Sequence, residues 1–144
     1  LYLDSAYIAK YYLNESDSNA VRSLIETARR IYSSALAIAE VQCVFHRKLR
    51  EGFLTRETAG RLRAAFLSHT ELGLWTFAPV GESLLRRTGA AIVMGPEDLF
   101  LRTADAVHLM TAREVGETEV WTSDRHMLAA APHFGLTGKS VTET

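Results

Sequence analysis

The sequence carries a single cysteine, Cys43, which excludes an internal disulfide and fits a reducing compartment. It also lacks an excess of either charge: 16 Lys and Arg stand against 17 Asp and Glu, a net charge of −1 at pH 7. Proteins that wrap nucleic acid by charge alone are normally basic, so that class is excluded; an enzyme whose acids offset a local basic patch is not. No apolar run approaches the ~20 residues of a membrane span. No signal-peptide pattern opens the chain, because residues 1–8 are too few and include Asp4. A cytoplasmic protein with no membrane association is therefore expected. The first residue is Leu1 rather than Met, so an initiator and a residue or two are expected ahead of it. There is no internal repeat, low-complexity tract or linker, and no Cys/His ligand set of the zinc type.

What is present fits one α/β domain over residues 1–144. The 144 residues, 47% hydrophobic and 23% charged, suffice to bury a core without staples. Tyr2 to Asp4 reads as the end of a buried strand. Ile8, Tyr11, Tyr12 and Leu13 lie at helical spacing within residues 6–13. Val21, Leu24, Ile25 and Ala28 mark a second helix, whose C-terminal end Arg29 and Arg30 suit. A strand over residues 31–33 leads to Ser34 as N-cap of a long helix, 35–51, stopped by Gly52. Thr55 caps the next helix, ended by Gly73, and residues 75–80 form a third strand with Pro79 at its edge. Helices follow over 82–93, stopped by Gly95-Pro96, and over 104–115, capped by Thr103. Residues 120–123 form a fourth strand, 125–131 a short helix and 139–141 a last edge strand. Short strands alternating with helices imply βαβ units: a short, mostly parallel sheet, flanked by helices, with right-handed crossovers.

Four acids need explaining in such a fold. Asp4 and Asp124 each follow a strand, and the carboxyl ends of parallel strands are where functional groups gather. Either one alone is equally well explained as a helix cap. Glu40 is the only charged residue between Ile31 and Phe45, in a helix apolar on nearly every side. A buried carboxylate there costs several kcal/mol unless paired or bound to a cation, so a salt bridge is the competing explanation. Asp105 falls in the first turn of a helix, where the macrodipole favours its ionised form whether or not it has a function. Taken together, four carboxylates near one point repel and shift their pKa values upward, and a hard divalent cation relieves this. Such a site suits phosphodiester hydrolysis.

These residues carry a resemblance. Leu1-Tyr2-Leu3-Asp4-Ser5 resembles the opening strand of a PIN domain. The segment from Ser33-Ser34 through Ala39-Glu40-Val41 resembles its second acidic motif, Leu101 to Leu109 its third, and Trp121-Thr122-Ser123-Asp124-Arg125 its fourth. The ordered set covers essentially the whole chain and is similar to the VapC toxins of toxin–antitoxin pairs. The resemblance implies a ribonuclease dependent on Mg²⁺ or Mn²⁺ that acts on structured RNA such as tRNA. It implies a homodimer and a cognate antitoxin protein as inhibitor. It assigns Asp4, Glu40, Asp105 and Asp124 as catalytic acids, with metal held by Asp4, Asp105 and Asp124, the last at the most variable position. Ser5 and Ser123 match positions where a hydroxyl orients the acids.

Other residues have two explanations each. His108 is either a catalytic base or, as expected here, a residue that packs or bonds a backbone carbonyl. His126 and His133 are surface histidines or substrate contacts. Arg47, Lys48, Arg50, Arg56, Arg61 and Arg63 form either a phosphate-contacting surface or a solvated helix face. Tyr7, Tyr11 and Tyr12 either stack on bases or pack a helix. The alternatives to a toxin-type nuclease are a PIN nuclease without an antitoxin, an inactive PIN-fold scaffold and a receiver-like phosphoacceptor domain; the last leaves Glu40 and Asp105 unexplained.

Overall fold

The computed structural model describes residues 1–142; the domain expected over 1–144 extends two residues beyond them. The sheet is built on a two-residue extended pair, Tyr2 and Leu3. Tyr2 pairs in parallel with Tyr32, and Leu3 with Trp121. Around them lie β1 (Tyr32–Ser34), β2 (Thr76–Ala78), β3 (Glu119–Trp121) and β4 (Thr137–Lys139). β1 pairs with β2 and β3 with β4, both parallel. The order across the sheet is therefore β2, β1, the Tyr2–Leu3 pair, β3, β4. Successive residues of a strand face opposite sides. Accordingly Leu3 joins one core cluster, with Ile8, Val41 and Phe66, while Tyr2 joins the other, with Val107, Val120 and Met127.

The first face is covered by α1 (Ser5–Tyr12), α2 (Ser18–Glu26), α3 (Ala37–Arg50) and α4 (Arg56–Glu71). The second is covered by α5 (Glu82–Val93), α6 (Thr103–Glu114) and α7 (Arg125–Ala130), which runs on into a 3₁₀ turn, Ala131–Phe134. The expected stops hold: Gly52 and Gly73 take positive φ of 85° and 81° just past α3 and α4, the left-handed conformation that ends helices at little cost for glycine. Thr55 caps α4 by accepting the Thr58 N–H at 3.1 Å. No helix among the described residues is long and apolar enough to cross a membrane.

Four local expectations are corrected. Thr103 is the first residue of α6 rather than its cap; Arg102 stands at the N-cap and makes no side-chain capping bond. Ser34 closes β1 instead of capping α3; its hydroxyl accepts the Leu36 N–H at 3.1 Å, and the helix begins at Ala37. α2 ends at Glu26, so Arg29 and Arg30 lie beyond it. The edge strand is Thr137–Lys139 rather than 139–141. Its middle residue, Gly138, lies under α7, where a Cβ would come within 3.1 Å of the Leu128 Cα. A bare backbone is what that crossing requires, although glycine argues against a strand by propensity.

Candidate active site

Asp4 leaves the central pair in extended conformation and becomes the N-cap of α1. Its Oδ1 accepts the Tyr7 N–H at 2.9 Å, and its Oδ2 accepts the Thr122 hydroxyl at 2.5 Å. The residue is only 6% exposed. Burial pushes its carboxyl above the ordinary range, against the opposing pull of Thr122, Tyr7, His108 and Lys10. Thr122 is fully buried and works in two directions: while donating to Asp4, it accepts the Asp124 N–H at 3.0 Å. Asp124 in turn caps α7, its Oδ1 accepting from His126 N and Met127 N at 2.8 and 3.0 Å. One hydroxyl thus ties two acids from adjacent strand ends into a fixed unit.

Asp105 enters from the second face, in the first turn of α6. Burial raises its carboxyl, and the charges of Asp124 and Glu40 push the same way, while Arg102 and His108 oppose them. Asp105 is therefore the point where the acids of α3, α6 and the β3 end meet electrostatically. Glu40, in the first turn of α3, accepts from His108 Nε2 at 2.7 Å; the other ring nitrogen of His108 lies 2.9 Å from the Tyr2 hydroxyl. Burial pushes the Tyr2 phenol far above the usual tyrosine range.

The expected burial of Glu40 is corrected. α3 buries one stripe, Ala37, Val41 and Phe45, and leaves Ile38 and Cys43 exposed. The Glu40 side chain is 30% exposed. Counting apolar residues around a helix overstates burial when only one stripe meets a neighbour. Asp4, read first as a strand-end acid, is the buried member of the set.

Among the described residues neither serine expected beside the acids hydrogen-bonds to one. Ser123 Oγ bonds the Tyr7 hydroxyl at 2.8 Å and lies 3.4 Å from Ser140 Oγ, fastening the end of the described chain to α1. Ser5 begins α1, and among the described residues no hydrogen bond joins its hydroxyl to an acid. Thr122 does that work. Its signal in the sequence was a small hydroxyl in an apolar strand end, indistinguishable from ordinary β-propensity. His108 was likewise assigned to packing, although its spacing of three from Asp105 puts it on the neighbouring helical face.

The remaining candidates sort by contact. Tyr7 is buried. Tyr12 donates to His69 Nδ1 and accepts from Trp75 Nε1, both at 2.8 Å, and Tyr11 packs edge-on against Tyr12 and Trp75. Lys48 pairs with Glu15 at 2.9 Å, Arg47 lies 3.9 Å from Glu51 and Arg61 lies 3.5 Å from Glu57, as on a solvated face. Arg102 and Arg125, at the starts of α6 and α7, flank the acids instead. His133 bonds the Ala91 carbonyl at 2.8 Å. His126 packs against Phe100 with ring centroids 4.6 Å apart and the planes tilted by 54°, beside a cavity of about 190 Å³.

Among the described residues no three Asp, Glu, His or Cys side chains close into a metal-holding cluster by themselves. The donor chemistry nevertheless fits a hard divalent cation. All candidate donors are carboxylate oxygens, and Asp105 is crowded by like charge that a cation would relieve. Mg²⁺ needs only one or two carboxylates and completes its shell with water and phosphate.

Comparison with known proteins agrees with this architecture. The PIN domain family model matches residues 1–132. The chain is 35% identical over 138 residues to Ribonuclease VapC46 of Mycobacterium tuberculosis, covering 94% of this chain and 93% of that protein. Among solved structures, Mycobacterium tuberculosis VapC20, a Sarcin-Ricin loop cleaving toxin, superposes with a TM-score of 0.70 at 15% identity, covering 90% of this chain and 93% of that one. FitAcB from Neisseria gonorrhoeae superposes with a TM-score of 0.68 at 15% identity, covering 99% of each chain. These two structural likenesses concern the fold.

Proposed function

The chain belongs to the PIN domain family, and from that premise we propose that it is a divalent-metal-dependent endoribonuclease, the toxin of a type II toxin–antitoxin pair. The observation that carries the reading is the Thr122 hydroxyl that joins Asp4 and Asp124 at neighbouring strand ends, with the Asp105 carboxyl raised by burial and by the charges of Asp124 and Glu40. Asp4, Asp105 and Asp124 are the residues that would hold Mg²⁺ or Mn²⁺. When bound, the cation supplies an acidified water as nucleophile and offsets charge on the phosphate during in-line displacement.

The chain's own groups do the rest. Asp4 is held by two hydrogen bonds, so its position does not have to be found during the reaction. Glu40 is partly exposed and can take a proton from water. Arg102 and Arg125 offer charge to flanking phosphates. Phe100, 63% exposed and packed at a tilt against His126, offers a ring to an unpaired base, the usual recognition of single-stranded or looped RNA. VapC46 carries ribonuclease in its name, which supports RNA as the substrate. The expected partners are structured RNA such as tRNA, a cognate antitoxin and a second copy of the chain, in the cytoplasm.

The test is cleavage of RNA by the purified chain and by Asp4→Asn and Asp105→Asn, with Mg²⁺, with Mn²⁺ and with chelator. Discrete cuts by the parent with metal only, and none by either folded variant, are expected. Full activity in both folded variants would overturn the assignment.

A further inference from the structure

His108 is buried to 1% exposure on α6, and the chemistry above gives it no task. Its contacts fit one tautomer. Glu40 Oε1 lies 2.7 Å from Nε2, and an ionised carboxylate only accepts, so Nε2 carries a proton. In the neutral imidazole Nδ1 is then an acceptor, and the Tyr2 hydroxyl at 2.9 Å is its donor. The result is a one-way chain of donors: Tyr2, on the central pair of the sheet, to His108, on α6, to Glu40, on α3. Three elements are joined through it, and its fixed end is the fully buried Tyr2.

We propose that His108 is a positioning residue for Glu40, with Tyr2 setting the imidazole tautomer. Among the described residues the bond engages Oε1 and no hydrogen bond engages Oε2, in a side chain whose charge is felt at Asp105. Without it Glu40, 30% exposed and with three rotatable bonds, spreads over several rotamers. The inference rests on the nuclease reading, since it assigns His108 a task in that same site. A buried histidine that only glues α3 to α6 would show the same contacts, so the test must separate glue from positioning.

A double-mutant cycle does so. His108→Leu is expected to lower kcat for RNA cleavage by about 10–100-fold, the usual effect of losing an outer partner of a site carboxylate, with KM unchanged. In a Glu40→Gln background the same substitution should change kcat no further, because its effect passes through Glu40. His108→Gln, whose amide N–H can reach Oε1, should recover most of the rate; it also serves if the leucine variant does not fold. Independently of activity, ¹⁵N NMR of the parent should show the Nε2–H tautomer, and Tyr2→Phe should erode it. Additive losses in the cycle, an Nδ1–H tautomer, or a glutamine variant as impaired as leucine would overturn the proposal. If the parent cleaves no RNA with either metal, the nuclease reading falls, and this inference with it. If the parent cleaves and the cycle is additive, only the inference falls.

Discussion

Asp4 has a donor on each carboxylate oxygen, the Tyr7 N–H and the Thr122 hydroxyl, whereas Asp105 is governed by burial and by the charges around it. Both carboxyls are raised, with burial the leading cause in each. The first-face acid is pinned by hydrogen bonds that fix its position. The second-face acid is loaded by Asp124 and Glu40, so it gains most from a cation. One side of the site supplies geometry and the other supplies electrostatic demand. That division explains how the fold can hold several acids together without any three closing on a metal-sized point.

The largest expected effects come from removing either charge. Asp4→Asn and Asp105→Asn should each cut RNA cleavage by more than about 100-fold, beyond the loss typical of outer partners. Both should remain folded. Asparagine is as good an N-cap as aspartate, and Thr122 can turn its hydroxyl toward Met127 Sδ, 3.8 Å away. Cleavage retained by one variant and lost by the other would break the equivalence of the two acids.

Thr122→Val attacks the pinned side alone. Valine keeps the shape of threonine but leaves the buried Asp4 Oδ2 and the Asp124 N–H each without their partner. A loss of about 1–3 kcal/mol of stability is expected, with cleavage falling about 10–100-fold. Thr122→Ser should recover both. Chemical denaturation and initial rates check the pair, and an unaltered rate would show that the pinning has no bearing on the chemistry.

The same contrast marks what was legible in the sequence. The strand ends at Asp4 and Asp124, the first-turn position of Asp105, the span of α5 and the glycine stops were all readable, because caps, periodicity and turn chemistry are local. The resemblance to PIN domains supplied the order of the strands' acids. What was not readable depends on which face a neighbour covers. Glu40 was misplaced because burial of α3 is decided by contact along a single stripe. Thr122 and His108 were missed because each acts across the sheet: Thr122 reaches an acid 118 residues away, and His108 reaches one 68 residues away. Gly138 shifted the last strand because its lack of a side chain matters only once α7 lies over it.

Phe100 probes the open side. Phe100→Ala should raise KM for RNA about fivefold, the low end of the 1–3 kcal/mol that stacking on one base contributes, with kcat and stability little changed because the ring is exposed. Filter binding to a single-stranded oligonucleotide in chelator reads the same contact without cleavage. Equal binding by parent and variant would move base recognition away from the Phe100–His126 pair.

The smallest effect expected is on stability, and it tests both acids at once. Asp4 and Asp105 are raised in the folded state, so the folded chain holds their protons more tightly than the unfolded chain does. Their contribution to stability is therefore full below the unfolded carboxylate pKa, ~3.9, and is lost as pH rises through the raised folded values. In chelator, the melting temperature of the parent should fall behind that of an Asp4→Asn, Asp105→Asn double variant as pH increases through that window, and the two should converge at the acid end. Mg²⁺ at ten times its dissociation constant should return about 1.4 kcal/mol to the parent at neutral pH, roughly 3–6 °C in a domain of this size, and nothing to the double variant. Comparing each single variant then apportions the effect. Like charge acts on Asp105, whereas hydrogen bonds already offset part of the burial of Asp4, so Asp105→Asn should remove the larger share of the metal-induced rise. Parent and double-variant curves that stay parallel across the pH range would show that neither carboxyl is raised.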